Sequence, residues 1–78
     1  MVTAGMTPRD AVRQLEVRLT AAGCPDADYD AAELFQLVTG RDVRLADAPL
    51  TEAQAVRLES LCLRREAREP LQDLCGRR

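Results

Sequence analysis

The sequence has no histidine, no lysine and no tryptophan, and it has a single tyrosine and a single phenylalanine. Without histidine the chain lacks the side chain best matched to proton transfer near neutral pH. It also lacks a glycine-rich phosphate loop and a serine set in a nucleophile elbow. No self-contained catalytic site is therefore expected, and the many carboxylates read most simply as a solvated face. The three cysteines, Cys24, Cys62 and Cys75, are odd in number and widely spaced. With no histidine beside them they match neither a zinc pattern nor a disulfide framework. They read as reduced thiols filling small apolar spaces, which implies a cytoplasmic chain. No run approaches the roughly 20 apolar residues that cross a bilayer. Residues 1–6 lack the basic flank and apolar stretch of a signal peptide and read as a flexible lead-in. β-Branched and aromatic residues are scarce and never alternate with polar ones, so strands are not expected.

What remains is a chain of 78 residues with a formal net charge of −2. That length suits one small domain of marginal stability. The slightly acidic balance argues against a sequence-independent grip on nucleic acid. Every basic residue is arginine, which with the abundant alanine and leucine suits a GC-rich coding sequence.

Helical signals recur along the chain. Thr7 can cap a first helix and Pro8 suits its first position, where a missing N–H costs nothing. Val12, Leu15, Leu19 and Ala22 then share one stripe, and Gly23 with Pro25 ends it. Asp26 or Asp28 caps a second helix whose inward stripe is Ala31, Leu34, Phe35 and Val38, closed by Thr39 and Gly40. The acidic cluster Asp26, Asp28, Asp30 and Glu33 complements the start of that helix. It lacks the central glycine and the distal glutamate of a calcium loop. Residues 41–47 read as a short helical turn with Val43 and Leu45 inward. Thr51 and Gln54 form a capping box for a long helix toward Arg68, with Ala55, Leu58, Leu61 and Cys62 buried. Glu69-Pro70 breaks it, and Leu71, Leu74 and Cys75 share a face of a final turn ended by Gly76. The expected fold is all-α, a small irregular or orthogonal bundle of four to five helices.

Three segments also carry a resemblance. Tyr29-Asp30-Ala31-Ala32-Glu33-Leu34-Phe35, Pro49-Leu50-Thr51-Glu52-Ala53-Gln54 and the run from Arg64-Arg65 through Glu69-Pro70-Leu71 to Gly76 follow one another in order. Together they resemble the "DAELLL", "PLT-x-x-Q" and "RR-x-x-x-EP" segments of the release factor glutamine methyltransferases, the HemK or PrmC family. The resemblance covers residues 7–76 as the family's helical N-terminal domain, with 1–6 ahead of it and 77–78 starting a linker to a catalytic domain. It implies a parent enzyme that methylates the glutamine of the GGQ loop of peptide chain release factors. S-adenosylmethionine would be held in the C-terminal domain, and neither its glycine-rich loop nor the catalytic NPPY motif has a match here. No catalytic, cofactor or metal residue is therefore assigned. The implied partners are a release factor and the chain's own methyltransferase domain, with no nucleic acid, membrane or metal. Candidate release-factor contacts are Arg57, Arg64, Arg65, Arg68, Glu69 and Pro70. The plainer role for the arginines is helix-dipole complementarity and local ion pairing. Asp73 stands where the family has tyrosine, and Cys75 where it has an apolar residue, which touches the packing toward the catalytic domain. The alternatives are a free-standing helical protein–protein interaction module and, less favoured by charge, a helix-turn-helix DNA binder.

Overall fold

Most helix ends fall where local chemistry satisfies the open end groups. The computed structural model describes residues 1–74. It contains α1 (Pro8–Ala21), α2 (Ala27–Thr39), α3 (Glu52–Glu66) and α4 (Leu71–Leu74), with no strand among the described residues. The expectations for Cys75, Gly76 and the 77–78 linker fall outside those residues. At the start of α1, Asp10 N–H donates to Thr7 Oγ1 at 3.2 Å, and Pro8 occupies the first turn. Its other end is a Schellman motif: Gly23 takes φ 88°, Gly23 N–H donates to Thr20 O and Cys24 N–H to Leu19 O, both at 3.0 Å. Those bonds satisfy carbonyls that the helix leaves open. Asp26 holds the N-cap position of α2, yet its side chain makes no capping bond, nor does Asp28 cap the helix, which starts at Ala27. The capping box of α3 is complete. Gln54 N–H donates to Thr51 Oγ1 at 3.1 Å, and Thr51 N–H donates to Gln54 Oε1 at 3.0 Å.

The core is one cluster, in which Leu15, Leu19, Leu34, Phe35, Leu58 and Cys62 are fully buried. α1 packs against α2, α3 lies against both, and α4 folds onto the end of α3. Ala55 and Leu61 are buried as the helical stripe requires, whereas Ala22 and Val38 are only half-buried at its margin.

Three expectations are corrected. Residues 1–6 are not a free lead-in: Val2 is buried, its N–H donates to Glu59 Oε1 at 2.9 Å, and Gly5 and Met6 exchange backbone bonds with Leu50. The segment 41–47 forms a turn closed on Asp42, whose carbonyl accepts from both Leu45 and Ala46 N–H. In such a turn residues two apart face opposite ways, so Leu45 points outward at 77% exposure, and Ala46 packs on the core with Val43 instead. The long helix stops at Glu66, short of Arg68, because Arg68 enters the left-handed region at φ 71°. A side chain there costs about 1–2 kcal/mol.

Candidate partner-binding surface

The end of α3 explains that unusual backbone. Arg68 and Glu69 N–H donate back to Arg65 and Arg64 carbonyls, the same bond pattern that ends α1, with arginine where glycine is usual. Side chains hold the turn in place. Arg68 Nη1 donates to Gly23 O at 2.9 Å, tying the end of α3 to the α1–α2 corner. A Cβ on Gly23 would lie 3.5 Å from that guanidinium, so the two residues meet as closely as ordinary packing allows. Arg65 Nη1 donates to Glu69 O, and Arg64 makes a two-pronged ion pair with the Glu69 carboxylate at 2.8 and 3.0 Å. That hydrogen bonding holds the Glu69 carboxylate below its ordinary value and the Arg64 guanidinium above its own. Pro70 follows, exposed, and its carbonyl starts α4 by accepting from Leu74 N–H.

Arg65 does more than close the turn. Its Nε donates to Asp30 Oδ2 at 3.0 Å, and the two side chains are 17% and 5% exposed. Asp30, counted in the sequence among the acids of a helix start, is thus a buried ion-pair partner on α2, 35 residues from Arg65. A second cluster joins α1 to α3. Arg18 donates to both carboxylate oxygens of Glu59, at 2.6 and 2.9 Å, and through Nε to Glu66 at 2.7 Å. The hydrogen bonds from Arg18 hold Glu59 below its ordinary value against the opposing pull of burial, and Glu59 holds Arg18 above its own. Beneath this cluster, burial pushes the Cys62 thiol up to about 12, and its bond to Glu66 and the nearby carboxylates push the same way. Cys24 is likewise a buried free thiol, its Sγ 3.9 Å from Arg65 O.

Of the six residues proposed from sequence, five therefore meet at the α3–α4 junction: Arg64, Arg65, Arg68, Glu69 and Pro70. Arg57 stands apart by two helical turns, about 10 Å along the axis. It is exposed and makes no ion pair within the described residues. Arg65 is held inside the fold, Arg68 is held by Gly23, and Arg57 and Arg64 present the cationic outer edge. Asp73 is exposed on α4. Sequence reasoning missed Asp30, Arg18, Glu59 and Glu66 because their partners lie 35 to 48 residues away.

A groove of about 600 Å³ runs between α1 and the 43–47 turn, past Val12, Arg13, Val43 and Ala46. α2 bears Asp28, Asp30 and Glu33 without a single arginine, and α3 sets three arginines against three glutamates. Neither has the basic surface of a DNA recognition helix. Among the described residues no helix is long and apolar enough to cross a membrane.

Residues 10–76 match the PrmC N-terminal domain. The chain belongs to the PrmC family. Within that methyltransferase family it is the helical N-terminal domain, and the match spans all four helices apart from the first residues of α1. No curated protein and no solved structure matches it. For this PrmC domain the RR-x-x-x-EP segment has a physical reading: Arg64, Arg65 and Glu69 are the side chains that stop α3 and turn the chain into α4.

Proposed function

We propose that this domain recognises the substrate of a PrmC enzyme, a peptide chain release factor in the cytoplasm. The methyl group of S-adenosylmethionine goes to the side-chain amide of the GGQ glutamine, and both the cofactor and the transfer belong to the C-terminal domain of that enzyme. The observation that carries this reading is the match of residues 10–76 to the family's N-terminal domain. The partner surface is the outer face of α3, where Arg57 is unengaged by any described ion pair and Arg64 is bound only by the half-buried Glu69. Arg65 is a poor probe of it, because reversing its charge would set a carboxylate against buried Asp30.

Calorimetric titration of a release factor into the chain tests this. Wild type should bind, and Arg57→Glu with Arg64→Glu should weaken binding at least tenfold while the helical circular dichroism stays unchanged. Equal affinity in the two proteins would overturn the assignment of the surface.

A further inference from the structure

The outward side of α3 has a pattern that bundle packing does not require. Leu58 and Cys62 point into the core, with Ala55 and Leu61 beside them. On the opposite side Ala53, Val56, Ser60, Leu63 and Ala67 recur at alternating intervals of three and four residues, and all five are exposed. Val56 is 66% exposed and Leu63 52%. No charged residue interrupts this strip, in a chain that is 31% charged. The solvent face of a surface helix normally carries the charge. Alternation of three and four is the spacing at which one helix seats its side chains between those of another.

The two edges of the strip differ. Arg57 and Arg64 follow one edge, and Glu52, Glu59 and Glu66 follow the other. Arg18 already binds Glu59 and Glu66, so most of the acidic edge is neutralised from within. A trough of about 460 Å³ opens along that edge beside Val56 and Leu63, with Met1, Val2 and Ala4 as its far wall. What the strip offers a visitor is thus an apolar seam, an apolar trough and a cationic border.

We propose that this strip docks one amphipathic helix of a partner protein. That helix carries apolar residues at the matching three–four spacing and carboxylates along the edge that meets Arg57 and Arg64. The proposal rests on the reading of the domain as the partner-recognition part of a PrmC enzyme, and it names the chemistry of the partner's contact. A second copy of this chain is a poorer occupant. It would bring the same arginines, and of its α3 acids Arg18 engages Glu59 and Glu66. A stable dimer also needs about 800 Å² per partner, which one 15-residue helix lined by two alanines and a serine does not supply.

The test uses the 78-residue chain and two synthetic helical peptides with the same leucine seam, one flanked by glutamates and one by lysines, followed by amide chemical shifts. The glutamate peptide should shift Val56, Ser60, Leu63 and Ala67 and bind at least tenfold tighter than the lysine peptide. Val56→Asp with Leu63→Asp should abolish that binding, and Arg57→Glu should shrink the preference. The proposal is overturned if both peptides bind alike, or if the shifts fall elsewhere. It is also overturned if sedimentation shows a dimer that Leu63→Asp dissolves, since the occupant is then a second copy. A release factor run through the same titration separates the two ideas. Binding that survives Val56→Asp with Leu63→Asp refutes the seam and leaves the proposed function standing. Seam binding of the glutamate peptide without release-factor binding does the reverse.

Discussion

Asp30 and Arg65 show how one pair of side chains can carry both a fold and a family motif. Among the described residues Asp30 is the one buried charged side chain, and Arg65 reaches it from the last turn of α3. Such a pair is not a large source of net stability, because both groups leave water to make it. Breaking it from one side is costly, since the other charge stays behind. Asp30→Ala should therefore lower unfolding free energy by about 3 kcal/mol, read from urea denaturation followed by circular dichroism. A loss below ~1 kcal/mol would mean that Arg65 finds water or Glu66 instead. Arg68 sits at the same scale. Its positive φ is tolerated because its guanidinium is fastened to Gly23 O, so the side chain that strains the turn also helps hold it.

Between elements, the Arg18 cluster joins α1 to α3 and brings the first residues of the chain with it through Val2 N–H. Glu59 has a folded pKa below its ordinary value of 4.5. A depressed acid contributes stability that is fully present above the unfolded value and is lost as pH falls through the folded one. Melting temperatures taken at pH 7 and pH 3 should fall for the wild type, and should fall less for Glu59→Gln, whose neutral amide has no such proton to gain. Parallel pH profiles for the two proteins would remove Glu59 from the acid response. The helix ends are element-scale features as well. The Thr51–Gln54 box and the Gly23 turn use only residues within a few positions of one another, so they could be read before any packing was known.

For the whole molecule, a core this small makes one large side chain decisive. Leu58 is fully buried at the centre of α3. Leu58→Ala removes its contacts and leaves a cavity, at a cost of about 2–5 kcal/mol. Since each kcal/mol moves the melting point of so short a domain by about 4–8 °C, calorimetry should show a drop of at least ~8 °C. A shift of only a few degrees would contradict the register of α3 against α1 and α2.

Periodicity, caps and breakers are local, and at this level the chain declared itself. The all-α class, the boundaries near Thr7, Gly23, Gly40 and Thr51, and the buried faces of α1, α2 and α3 all follow from residues within a turn or two of each other. So does family membership, which rests on ordered short segments. The direction of Leu45 was misread because it stands two residues after Val43, a spacing that a helical turn puts on opposite sides, whereas Ala46, three residues on, shares the Val43 side. Val2 was misread because its cover comes from α3, more than fifty residues away. Only the packed structure assigned partners to the charges. It turned Asp30 from a helix-start acid into the buried mate of Arg65, drew Arg65 into the fold, engaged Arg68 with Gly23 O, and left Arg57 and Arg64 beside an uncharged seam. Hydrogen bonds along a helix are set by neighbours in sequence, whereas a charge is satisfied by whichever opposite group the fold brings within about 3 Å.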